Sequence, residues 1–138
     1  MKRPQRCQHG AGGMLALLLA ALPPSGVLAC EPGLAAPAAV LETARFRLAY
    51  RSEPVPLPEG QPFALAVAVC GKTGPPPRRL SVDADMPAHR HSMNYRPRIQ
   101  AQGDGRFRVE GMFFHMPGSW RIAFEADGER AEHAVVVD

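Results

Sequence analysis

Arg45-Phe46-Arg47-Leu48-Ala49-Tyr50-Arg51 alternates strictly, with Phe46, Leu48 and Tyr50 on one side and three arginines among the residues between. Successive side chains of an extended chain point to opposite faces, so this heptapeptide predicts a half-buried strand. The same period recurs outward from it. Residues 62–70 are apolar on both faces, as a central strand is. Leu80-Ser81-Val82-Asp83-Ala84-Asp85, Arg98-Ile99-Gln100-Ala101 and Arg106-Phe107-Arg108-Val109-Glu110 alternate again. Trp120, Ile122 and Phe124 make the inward side of a further strand, and residues 134–137 a closing one. Turn chemistry separates these segments. Prolines 54, 56 and 58 lack the ladder donor, Pro75 to Pro77 mark a loop, and Gly103-Asp104-Gly105, Pro117-Gly118 and Asp127-Gly128 are turn signals. Seven strand candidates without a helical stretch predict an all-β antiparallel sandwich, with Trp120 as its core anchor.

The composition fits one such domain. The chain has 138 residues, 46% hydrophobic and 21% charged, too few for a barrel enzyme of about 250 residues. Its net charge of +3 would suggest an acidic partner such as nucleic acid. The position of the charge argues otherwise. Lys2, Arg3 and Arg6 precede the apolar run Met14 to Leu22, then Pro23-Pro24 and Val27-Leu28-Ala29. A positive region, a short apolar region and a small-residue exit make a secretory signal over residues 1–29. The run is shorter than the roughly 20 residues a membrane span needs. Cleavage removes three of the 16 basic residues and none of the 13 acidic ones, leaving 13 of each. Nucleic-acid binding thereby loses its support.

An exported chain meets an oxidising compartment, most simply the periplasm. Loss of Cys7 with the signal leaves Cys30 and Cys70, an even pair suited to a disulfide. Val27-Leu28-Ala29-Cys30 is also a loose match to a lipobox. Lipid anchoring through Cys30 is therefore the alternative, and it would strand Cys70 as a free thiol. Residues 30–42, rich in Ala and Pro, read as a linker, and residues 43–138 as the sandwich.

Methionine and histidine are placed unevenly. Met86, His89, His91 and Met93 lie in one patch and Met112, His115 and Met116 in a second, with His133 apart. In an extended segment His89, His91 and Met93 share a face. Imidazole suits copper, zinc, iron and nickel, while thioether selects soft Cu(I), so a His/Met mixture points to copper before zinc. Met is also a common core filler, which fits Met86, Met112 and Met116 equally well. Strict alternation from Phe107 and Val109 would turn His115 into the core; a bulge at Gly111 would turn it out. His133, alone in a terminal strand, is expected to be a surface or hydrogen-bonded residue.

The order Asp83-Ala84-Asp85-Met86-Pro87-Ala88-His89-Arg90-His91-Ser92-Met93-Asn94-Tyr95-Arg96-Pro97, then Phe113-Phe114-His115-Met116-Pro117-Gly118-Ser119-Trp120, resembles the YtkA-like domain family, related to FixH, over residues 43–137. The resemblance implies an exported immunoglobulin-like β-sandwich. It also implies a role in copper handling or cytochrome oxidase assembly, with an oxidase subunit as an example of a partner. Met86, His89, His91, Met93, His115 and Met116 become the candidate ligands. Ser92 stands where the family pattern carries glycine, which removes no ligand. Unlike FixH-type relatives, the mature chain is expected to carry no transmembrane segment.

Two functions compete: a copper-binding carrier or assembly factor, and a metal-free module contacting another exported protein through its Met-rich loops. An enzyme is not expected. No Ser/His/Asp set with supporting motif context and no phosphate loop is seen, and Asp83 and Asp85 on one strand face read as solvated carboxylates.

Overall fold

In the computed structural model, residues 30–138 are described. The signal segment read over residues 1–29, Cys7 included, lies outside the described residues. Among the described residues are nine strands: β1 (Ala39–Glu42), β2 (Phe46–Glu53), β3 (Pro62–Gly71), β4 (Leu80–Met86), β5 (His91–Ser92), β6 (Arg98–Gly103), β7 (Arg106–Phe113), β8 (Gly118–Ala126) and β9 (Glu129–Val137). They form two antiparallel sheets, β1-β2-β3-β7-β6 and β5-β4-β8-β9. The molecule is the expected β-sandwich. Among the described residues, no helix is long and apolar enough to cross a membrane.

The alternating residues decide which faces meet. Phe46, Leu48 and Tyr50 of β2, Leu65, Val67 and Val69 of β3, and Phe107 and Val109 of β7 turn inward from one sheet. Val82 and Ala84 of β4 and Trp120, Ile122 and Phe124 of β8 meet them from the other. Trp120 is fully buried and stacks on Phe114 with ring centres 4.5 Å apart. Burial pushes the Tyr50 phenol up to about 12. Its hydroxyl lies 2.6 Å from His133 Nδ1, so His133 is the hydrogen-bonded residue expected, joining the two sheets.

Two corrections to the strand count follow from the fold. The seven expected strands are all present; β1 and β5 are additional. Both are short edge strands with little alternation of their own, and pairing with β2 and β4 creates them. The segment read as a linker over residues 30–42 therefore ends in a strand. Its earlier part is strapped to the outer face of the first sheet. A disulfide joins Cys30 to Cys70. Arg106 Nη2 donates to the Gly33 carbonyl at 3.0 Å, Arg51 Nη1 to that of Ala35 at 3.1 Å, and Arg47 pairs with Glu31. A sulfur held in a disulfide cannot also carry a thioether-linked lipid.

The corner before β2 is tied across to β9 in the other sheet. Glu129 accepts from the Arg45 backbone N–H at 2.9 Å and from Arg45 Nε at 2.6 Å. The Thr43 hydroxyl and these Arg45 contacts hold its carboxyl at about 2, against an ordinary 4.5. The unfolded chain thus takes up this proton first. The stabilisation is complete above pH 4.5 and is lost as pH falls from there through about 2. Glu129→Gln is expected to flatten the decline of melting temperature over that window. A decline as steep as wild type would show that Glu129 has no part in acid unfolding.

Candidate functional site

The antiparallel strands bring three connections to one end of the sandwich: residues 54–61, 87–90 and 114–117. The Gly60 N–H donates to the Phe114 carbonyl at 2.8 Å, fastening the first to the third. The Cys30–Cys70 bridge joins β3 at its other end, a strand length of about 30 Å away.

His115 reaches this end because of a bulge. Phe63 pairs with Met112 and Ala64 with Glu110, so Gly111 is the extra residue of β7. Its φ of +80° is the left-handed conformation that glycine adopts without strain. Phe107 and Val109 point inward before the bulge, and Met112 and Phe114 after it. His115 is consequently exposed. Its ring packs edge-on against Trp120, with centres 5.3 Å apart, and Trp120 Nε1 donates to the Met116 carbonyl at 3.0 Å. The buried indole therefore positions both residues. The Phe114 to Trp120 spacing is a signal for this platform that alternation alone does not use.

His89, on the connection after β4, and His91, in β5, are both exposed. The His89 N–H donates to the Met86 carbonyl at 3.1 Å, which makes the segment a turn, and Arg90 has a φ of +55°. The His91 ring centre is 6.3 Å from that of His89 and 6.1 Å from that of His115. An ion about 2.0 Å from each nitrogen places two imidazole ring centres at most about 6.3 Å apart. The spacing sits at that limit. Closing on one ion requires these rings to rotate, and among the described residues no three His, Cys, Asp or Glu side chains are already grouped as they are around a metal.

The sulfurs are placed differently. The expected shared face of His89, His91 and Met93 is not formed, because the extended segment is only His91–Ser92 and His89 lies in the turn. Met93 is 6% exposed and sits in the core; its N–H donates to the Ala84 carbonyl at 2.8 Å and its sulfur accepts from the Phe113 N–H at 3.5 Å. Met86 is buried, with its ε-carbon 2.9 Å from where a Cβ on Gly118 would lie. Both act as core fillers in this arrangement. Met112 is buried too, and Met116 is half-buried against the core. Of the six candidate ligands, His89, His91 and His115 are on the surface, Met116 lies beside them in sequence at the same end, and Met86 and Met93 lie beneath.

Asp85 is held by Arg121 through bonds of 2.9 and 2.6 Å, which raises the Arg121 pKa. Asp83 is exposed, as a solvated carboxylate is. No family model, curated protein or solved structure matches this chain.

Proposed function

We propose that the chain is an exported copper-binding protein of YtkA-like kind, a carrier or assembly factor rather than an enzyme. Its site in this proposal is the end of the sandwich bearing His89, His91 and His115. The observation that supports it is the His91 ring, with the His89 and His115 imidazoles at ring-centre distances of 6.3 and 6.1 Å. Imidazole is a ligand for Cu(II) and for borderline metals generally, and copper binds tightest among the divalent ions of this series. With Met86 and Met93 sulfurs in the core, Met116 is the readiest thioether. The ligand set accordingly favours Cu(II) over Cu(I), a harder site than the Met-rich sequence suggested. Its partner in the exported compartment would be a protein that receives the ion, such as an oxidase subunit.

The test is titration of residues 30–138 with Cu(II) and Cu(I), alongside His89→Ala/His91→Ala. The double variant is expected to bind Cu(II) at least about 100-fold more weakly, since loss of an outer-shell partner alone commonly costs 10- to 100-fold. Equal affinity for wild type and variant would refute the copper site and leave the metal-free interaction module.

A further inference from the structure

The mature domain has 13 basic and 13 acidic residues, but the compensation is uneven. Arg45, Arg47, Arg51, Lys72, Arg108, Arg121 and Arg130 are all in ion pairs. Arg78 and Arg79 lie against Asp127, whose carboxylate accepts both backbone N–H groups at 3.0 and 2.9 Å. Arg106 is engaged by the Gly33 carbonyl. Six cations are exposed and outside any ion pair among the described residues: Arg78, Arg79, Arg106, Arg90, Arg96 and Arg98.

Arg90, Arg96 and Arg98, half of these, fall on one segment. Between Asp85 and Asp104 the sequence has no acidic residue. This segment starts beside the imidazoles and crosses from the second sheet to β6, the edge strand of the first. Nearby carboxylates are already committed, Asp85 to Arg121 and Glu110 to Arg108. Asp83, whose Oδ1 accepts the Ala84 N–H at 2.8 Å, lines a groove of about 300 Å³ together with Tyr95, Arg96 and Pro97. Tyr95 is 60% exposed and braced edge-on against Phe113, with ring centres 5.7 Å apart. Three guanidiniums outside ion pairs on one segment with an exposed, braced aromatic are the composition of a protein-docking surface: Arg and Tyr are the residues such surfaces favour.

We propose that the segment from Arg90 to Arg98 docks an acidic segment of another exported protein, with Arg90, Arg96 and Arg98 facing its carboxylates and Tyr95 packing at the centre. Charge complementarity selects this occupant, because half of the exposed cations outside ion pairs lie within nine residues that hold no acidic residue. The inference stands on charge and exposure and does not require the copper site.

The probe is a dye-labelled decamer of glutamate, titrated into residues 30–138 by fluorescence anisotropy with amide chemical shifts mapped in parallel. Binding is expected to weaken several-fold between 25 and 150 mM NaCl, as screening of exposed charges requires. Shift changes are expected over residues 90–98. Arg90→Glu/Arg96→Glu/Arg98→Glu is expected to lose at least tenfold in affinity, and Arg78→Glu/Arg79→Glu to stay within twofold of wild type. Tyr95→Ala is expected to weaken binding without altering the salt dependence. Absence of binding, shifts centred on Arg78 and Arg79, or equal losses in both charge-reversal variants would overturn the proposal. So would tighter association with phosphatidylglycerol vesicles than with the peptide, which would assign the ridge to a lipid surface. The shift map on the wild-type protein decides the matter even where a variant folds poorly.

Discussion

Trp120→Ala is expected to lower folding stability by about 3–5 kcal/mol, the usual cost of truncating a buried large aromatic. Trp120 is 0% exposed and lies on β8 between the sheets. Its loss removes the stack on Phe114 at 4.5 Å, the edge contact with His115 at 5.3 Å and the N–H donated to the Met116 carbonyl at 3.0 Å. A domain of this size is stable by only about 5–15 kcal/mol, so the variant should melt roughly 15–25 °C lower or fail to fold. Trp120→Phe separates the two roles of the side chain. It keeps a ring on Phe114 and loses the donor, with an expected cost of about 1–2 kcal/mol. If the copper proposal holds, this milder variant should also weaken Cu(II) binding, because the indole steadies the backbone between His115 and Met116. Calorimetric melting of both variants is the measurement. A Trp120→Ala protein as stable as wild type would show that the core is not anchored there.

Breaking the Cys30–Cys70 bridge is the second large effect. The cysteines are 40 residues apart, and closing a loop of that length restricts the unfolded chain by an amount worth about 4 kcal/mol on the chain-entropy account. The loss should be local as well as global. Without the bridge, the strap over residues 30–38 retains its arginine-to-carbonyl contacts, the Arg47–Glu31 ion pair and the Ala38 N–H donated to the Tyr50 carbonyl at 2.7 Å. Cys30→Ser/Cys70→Ser is therefore expected to fold, to melt roughly 10–20 °C lower, and to show fast amide exchange before β1. A reductant should destabilise wild type to the same level and leave the double variant unchanged. Intact mass provides the companion check. A value about two hydrogens below the fully reduced mass fits the bridge, and a gain of several hundred daltons fits the lipid. A double variant melting with wild type would show that the bridge contributes nothing.

The pattern of alternation carried most of the architecture. Phe46, Leu48 and Tyr50 announced β2 and its buried side, and Trp120, Ile122 and Phe124 did the same for β8, because a strand's two faces are a property of the backbone pleat alone. β1 and β5 were not legible. A four-residue and a two-residue edge strand are too short to show a period of their own and exist only through pairing with β2 and β4 across short turns.

The candidate site divides along the same line. That His89, His91 and His115 are a chemically coherent group was visible from residue type and order. The fate of the methionines was not. Met93 has the alternation of a surface residue beside His91, but the chain turns inward at that point and the Phe113 N–H takes its sulfur as acceptor. The orientation of His115 hung on one residue. Gly111 permits a bulge at little cost, yet whether the bulge forms depends on how β7 registers against β3. The unpaired ridge was hidden for a related reason. Counting charges shows neutrality, whereas pairing is decided by which side chains the two sheets bring within reach.

From the sequence alone came a two-faced, all-β chain, an even cysteine pair and a histidine- and methionine-rich segment, since composition and backbone periodicity are local. Tertiary structure decided that three imidazoles gather at one end, that two of the candidate thioether ligands go to the core and that Arg90, Arg96 and Arg98 stay outside ion pairs. Each of those outcomes rests on contacts between strands far apart in the chain, and no local pattern encodes them.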